Sequence, residues 1–301
     1  MNWFFATILS TLLFAIVSIL DKKLLTGLFP SFSTFNIVFG LLQFLISPVL
    51  FVIAIQTAGF DGGSGIPWAI TSGLLWAVGL SLFFYALTIE EVSRAAPMQS
   101  ITPVFTAVIA VGLFSDSLTM LQWLAIVIVV AGAVMINLRP ENGRIRVARR
   151  KAFLVLLAAA FVLAWAFIVS DQATDRMNVW ATQGFRALSM GLGVLAMSWR
   201  PRHTRSVVAV MRNPRTAILM VLAEAFLGPL AALAFVYALS VGPVSLVSTV
   251  SAVRPLSVLA ISTFLSTRYW NVLNEPLDRQ TLGLKLFSTV MIVGGVMLLG
   301  V

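Results

Sequence analysis

Phe83-Phe84-Tyr85-Ala86-Leu87 returns later in the chain as Phe235-Val236-Tyr237-Ala238-Leu239. At the same offset Val92-Ser93 returns as Val244-Ser245, and Pro103 returns as Pro255. Tyr and Pro are scarce in this sequence, and the offset holds across a turn, so the match is a repeat rather than a coincidence of common apolar residues. Each copy sits where one long apolar run ends and the next begins. Outward from it, apolar runs broken by turn residues and charges predict spans near 2–20, 32–55, 67–88, 95–114, 118–138, 152–170, 178–198, 216–240, 243–265 and 281–300. Runs of roughly 20 apolar residues have the length a helix needs to cross a bilayer.

The composition agrees. Of 301 residues 59% are hydrophobic and 10% charged, and the mean hydropathy is +1.00. A chain lodged in lipid must satisfy every backbone polar group internally, which leaves helices or closed barrels. Continuous apolar runs, as opposed to alternating ten-residue strands, select helices. The expected fold class is an all-α polytopic membrane protein of ten transmembrane helices. The basic stretch at 139–151 separates two sets of five, giving units 1–145 and 146–301. Five is odd, so the second unit is inverted relative to the first, a construction used by secondary transporters with a site near the bilayer midplane.

Sixteen Lys and Arg fall on connections one, three, five, seven and nine, and only Arg176 falls on the other face. That asymmetry predicts that the basic face is cytoplasmic and both termini are external. The formal charge of +9 is accounted for by this distribution, so no nucleic-acid partner is expected. The N-terminus carries no basic stretch or small-residue cleavage site and reads as the first span. There is no cysteine and one histidine, His203, in a basic loop. Thiolate chemistry is excluded and no metal or cofactor site is expected. The absence of H-E-x-x-H and G-x-x-x-x-G-K-[ST] patterns removes metal hydrolysis and nucleotide-driven pumping, so an enzyme is not expected.

Ionisable residues within spans mark functional sites by default. Four qualify: Arg186, Glu224, Arg254 and Lys285. At ~1.5 Å per residue, Arg254 lies roughly 16 Å into its span and Glu224 roughly 12 Å. Lys285, roughly 6 Å in, is shallow enough to snorkel. Arg254 needs a partner or water, and Glu224 is the nearest acid across the Val241-Gly242-Pro243 turn. The pair is either purely structural or a site in which Arg254 binds an anionic group while Glu224 orients it or exchanges a proton. Pro103 and Pro255 each remove a helical hydrogen bond and are expected to break their spans. Gln99, Tyr85, Tyr237, Trp165, Trp76, Asn36 and Gln43 are further candidates for lining a substrate cavity. Three basic groups against one acid favour an anionic or zwitterionic ligand.

These residues resemble EamA-type permeases of the drug/metabolite transporter superfamily. The likeness rests on two inverted fives, a Tyr-Ala-Leu closing the third span of each half, a proline in the fourth, and an acid before a fifth span that ends in glycines. The closing features read Asp116-Ser117-Leu118 then Ala131-Gly132-Ala133, and Asn274-Glu275-Pro276-Leu277 then Gly283 and Gly294-Gly295-Val296. Asp116 stands where such permeases commonly carry Glu, and 266–274 looks like an insertion before Glu275. The glycines read as packing positions. The resemblance implies alternating access in an inner membrane. It also implies termini on the inside, against the charge count, which we follow here.

The expected function is a secondary transporter for a small amphipathic, anionic or zwitterionic metabolite, with that molecule and membrane lipids as partners, working as a monomer or homodimer. The alternatives are a translocator of lipid-linked phosphate and a non-transporting membrane subunit or sensor.

Overall fold

A computed structural model describes residues 3–58, 63–114, 119–136, 138–141, 144–147, 150–200, 204–241, 250, 253–266 and 279–299. In chain order the helices are α1 (Trp3–Lys23), α2 (Phe32–Ala58), α3 (Ile66–Ile89), α4 (Val92–Gln99), α5 (Thr102–Phe114), α6 (Met120–Ile136), α7 (Arg150–Thr174), α8 (Val179–Ser198), α9 (Thr204–Arg212), α10 (Pro214–Val221), α11 (Gly228–Val241), α12 (Arg254–Leu265) and α13 (Arg279–Leu299). Two wide π turns extend this list, Leu24–Leu28 after α1 and Leu222–Leu227 between α10 and α11. A short antiparallel hairpin, β1 (Leu138–Glu141) with β2 (Arg144–Val147), occupies the connection between the halves and is the one departure from helix and turn among the described residues.

Among the described residues, six apolar runs are long enough to cross a membrane: Trp3–Leu28, Phe32–Thr57, Gly63–Ile89, Arg150–Thr174, Pro214–Phe235 and Arg279–Leu298. Met120–Ile136 and Arg254–Leu265 are apolar but shorter. Three expected boundaries change. The first helix does not end at 20; it runs to Lys23 and then through the wide turn to Leu28. The run 95–114 is not one helix, because α4 ends at Gln99 and α5 starts at Thr102. The run 243–265 is interrupted at Val253, a turn between helical Val250 and the start of α12 at Arg254, while 243–249 and 251–252 lie outside the described residues. Pro103 and Pro255 therefore do not kink continuous helices. Each is the second residue of α5 and α12, in the first turn, where a missing N–H costs no intrahelical bond.

Helix pairing follows the repeat. α2 packs on α8 and α6 on α13; α3 packs on α7 as α1 packs on α11; α5 packs on α7 as α1 packs on α12. These pairs keep their form when the halves are exchanged, whereas the close packing of α3 on α8 has only a slight counterpart where the wide turn of the second half meets α2. Two equivalent interfaces even share a device: Ser72 Oγ donates to Ala166 O across α3–α7 at 2.9 Å, and Ser10 Oγ donates to Ala231 O across α1–α11 at 2.8 Å. Small residues let the self-paired helices meet at backbone distance, as packing in lipid favours. A Cβ on Gly191 would stand 2.7 Å from Gly40 O in the α2–α8 crossing, and one on Gly295 would stand 2.5 Å from Val129 Cγ2 in the α6–α13 crossing. Within α2, Pro48 leaves the Phe44 carbonyl without its helical donor, and Ser47 Oγ supplies one at 2.8 Å.

Candidate functional site

The charged side chains of the interior form three groups. The first is built on α1, where Phe14, Ser18 and Asp21 recur at helical spacing on one face. Arg254, the first residue of α12, lies with its guanidinium 4.9 Å from the Phe14 ring centroid and donates to Ser18 Oγ at 2.9 Å. Ser18 in turn donates to Phe14 O at 3.0 Å. Glu224, in the wide turn between α10 and α11, is buried, as is Asp21. The two carboxyl groups adjoin, and Asp21 stands within electrostatic reach of Arg254. Asp21 Oδ1 has no hydrogen-bond partner among the described residues.

Sequence reasoning joined Arg254 directly to Glu224. The structure inserts Asp21 between them. A first span ending at 20 leaves Asp21 beyond it, next to Lys22-Lys23; its spacing from Phe14 and Ser18 is the sequence signal that places it on the buried face.

The second group lies where α3 turns into α4. Lys285, on α13 and 1% exposed, does not snorkel: its Nζ is 2.7 Å from Glu91 Oε2, which also takes Arg94 Nε at 3.1 Å. Arg94 donates through NH1 to Ile136 O and, at 3.1 Å, to Leu138 O, so it closes the C-terminal end of α6. Lys22 does the same for α3, donating to Leu87 O at 2.6 Å and Glu90 O at 2.7 Å. Lys22 and Arg94 were counted as loop charges. Both are helix caps drawn into the bundle, and Lys285 stands with them rather than with Arg254.

The third group is Arg186 on α8 and Trp76 on α3. The guanidinium lies 5.3 Å from the Trp76 ring centroid, a cation–π contact, and Trp76 also meets Phe167 edge-on at 5.2 Å.

The other candidates are dispersed. Asn36 Nδ2 donates to Ser81 Oγ at 3.0 Å and Ser198 Oγ at 3.3 Å, tying α2 to α3 and α8. Tyr85 meets Phe32 edge-on at 5.7 Å and carries Lys151 Nζ 5.1 Å over its ring. Tyr237 is 40% exposed on the outside of α11. Gln43, Gln99 and Trp165 are half-buried, on α2, α4 and α7. His203, Asp116, Val244, Ser245, the 267–278 segment with Glu275, and Asp61-Gly62 lie outside the described residues.

Three comparisons with known proteins bear on this arrangement. A stretch of 73 residues, 24% of this chain, is 29% identical to an uncharacterized protein of Methanocaldococcus jannaschii and spans 53%, about half, of that relative's length. A solved structure titled only "Crystal structure of protein" superposes with a TM-score of 0.58 at 15% identity, covering 98% of this chain and 95% of its own, a likeness of fold alone. The model of the EamA-like transporter family matches residues 1–138 and again 150–301, leaving out only the hairpin between the halves. With two copies of the family model together matching nearly the whole length, this multi-pass membrane chain belongs to the EamA-like transporter family.

Proposed function

We propose that the chain is a secondary transporter of ten spans, arranged as inverted units 1–145 and 146–301, that moves a small amphipathic anionic or zwitterionic metabolite by alternating access. In this reading it sits in the inner membrane with the basic face cytoplasmic and both termini external. Family membership supports transport of a small molecule within the membrane. The observation that carries the finer reading is the cluster of buried Asp21 and Glu224 with half-buried Arg254, drawn from three elements of the two halves at a helix start and a wide turn.

Two carboxylates and one guanidinium in a low dielectric are neutral when one proton is shared between the acids, since unpaired buried charge costs several kcal/mol. An incoming carboxylate that engages Arg254 takes over the role of Asp21. The displaced negative charge favours uptake of a second proton, and the two events become linked. Arg254 thus binds the anionic group, and the Asp21–Glu224 pair carries the proton.

The test is uptake into vesicles holding the purified protein, under an imposed pH gradient, from a mixture of anionic, zwitterionic and cationic metabolites, read by mass. Anions or zwitterions accumulate with the wild-type protein and fail to do so with Arg254→Ala of unchanged melting temperature. Accumulation of cations alone, or equal accumulation with the variant, overturns the reading.

A further inference from the structure

The short helix α9, between the end of α8 and the start of α10, divides into two faces. Val207, Val210 and Met211 recur at helical spacing and turn inward, Val210 buried and the other two packed half-covered against the core. Arg205, Val208, Ala209 and Arg212, at steps of three and four, fall on the opposite side, and all four are exposed. The inward contacts fix which way the helix is turned, so this stripe is held outward. Val208 and Ala209 are short, and with the two arginines beside them they line an open groove of about 330 Å³.

The groove is cationic and uncompensated. Between Asp175 and Glu224 the chain carries no acid, while the connection that holds α9 carries Arg200, Arg202, Arg205, Arg212 and Arg215. In the interior, Lys285 and Arg94 are met by Glu91, and Arg254 by Asp21. Arg205, Arg212 and Arg215 take no part in any ion pair among the described residues. An anion from outside the chain therefore meets no competitor here.

The surroundings select the kind of anion. α9 ends two residues before Pro214–Phe235, an apolar run long enough to cross a membrane. Exposed Trp199 follows the last residue of α8, five residues before α9 begins. A tryptophan at one helix end and the start of a span together set α9 at the level of the lipid headgroups. Arg215, Ile218 and Leu222 then follow one exposed stripe down that span, so the cationic patch passes directly into apolar surface. A phospholipid has the same order, phosphate and then hydrocarbon. A polyanion in water engages the arginines and leaves the apolar track uncovered.

We propose that the outer face of α9 binds an anionic phospholipid of the leaflet on the basic face, with its phosphate in the groove between Arg205 and Arg212 and its hydrocarbon on the span that starts beside it. A guanidinium fork matches a pair of phosphate oxygens, and the negative surface of an anionic leaflet draws basic residues to it. The proposal rests on the placement of the chain in a membrane and not on the transport reading.

Phosphatidylglycerol is titrated onto the purified protein in detergent and the bound lipid is counted by native mass spectrometry, with phosphatidylcholine and glycerol phosphate as parallel probes. Phosphatidylglycerol binds saturably, about tenfold or more tighter than phosphatidylcholine, whose headgroup is neutral overall, and than glycerol phosphate, which lacks the chains. Arg205→Gln or Arg212→Gln weakens that binding about fivefold, and the two together about 30-fold. Arg150→Gln with Arg279→Gln removes as much charge from exposed positions at the starts of α7 and α13 and leaves the binding unaltered. Val208→Glu, a change at an exposed position, sets an anion in the groove and abolishes the binding; it carries the test if the double variant at α9 does not fold. Phosphatidylcholine or glycerol phosphate binding as tightly as phosphatidylglycerol overturns the proposal. So does undiminished binding in Val208→Glu, or an equal loss in the two double variants.

Discussion

The two halves carry the same interruption with different chemistry in it. Pro103 and Pro255 stand at one offset, each the second residue of a helix. The residue before each proline is Thr102 in the first half and Arg254 in the second. At that same offset Ser72 answers to Glu224, and Gly73 to Ala225. Thr102 spends its hydroxyl locally, on Gln99 O at 2.7 Å, and Ser72 spends its own on Ala166 O. Arg254 and Glu224 meet a third charge from α1 instead. The duplicated scaffold supplies two broken helices, and only one break is furnished with charge. Duplication accounts for the shape, and later divergence of a few side chains accounts for the site.

Exchanging residues between the halves breaks or sharpens this comparison. Arg254→Thr copies the neutral break into the second half and leaves Asp21 and Glu224 without their counter-charge. Truncating one partner of a hydrogen-bonded charge pair costs a bound anion about 2–5 kcal/mol, so exchange of the transported anion in vesicles falls by about 30-fold or more; flux within tenfold of the wild-type protein would show that the two breaks are functionally alike. Glu224→Ser removes one proton site. With one proton per cycle a unit pH gradient supports about tenfold accumulation, and in this variant accumulation falls to none while downhill exchange continues. Coupled uptake that survives the change places the proton elsewhere.

The remaining exchanges concern packing. Gly73→Ala gives the first half the second half's residue at a point where Ser189 Oγ already stands 2.0 Å from the added carbon. Overpacking of this kind costs about 1–3 kcal/mol, read as a lowered melting temperature in detergent. An unchanged melt would mean that α3 and α8 separate more readily than their contact suggests. Thr102→Ala removes only the local bond to Gln99 O and lowers stability by about 1 kcal/mol or less, with transport unaltered. A transport defect there would give the first break a function of its own.

Much of the architecture was legible because lipid imposes one rule, that apolar runs of spanning length become helices, and because a repeat displays itself in sequence. The site was legible in part. Arg254, Glu224 and Arg186 were conspicuous as charges inside apolar runs. Asp21 was not, since a charge next to Lys22-Lys23 reads as a helix end at a surface, and nothing local tells that Glu224 and Arg254 fold over that end. Arg94 reads as a loop charge for the same reason, and the depth of Lys285 in its span does not tell that it turns inward to Glu91. Whether a terminal charge is solvated or caps a neighbour depends on which helix lies alongside, and that is settled by contacts such as Arg94 to Ile136 and Lys285 to Glu91, between residues far apart in the chain.

The Glu91–Lys285 pair also bears on the order in which the protein is made. Glu91 and Arg94 emerge early in synthesis and can satisfy each other at once. Lys285 emerges long after them, on a helix whose ammonium is unwelcome in lipid until it reaches Glu91. α13 is therefore held in place by a charge as well as by the glycine-lined crossing with α6, and a chain released before α13 is complete leaves Glu91 with Arg94 as its one counter-charge among the described residues. Membrane quality control that senses exposed charge would meet such a fragment as unfinished.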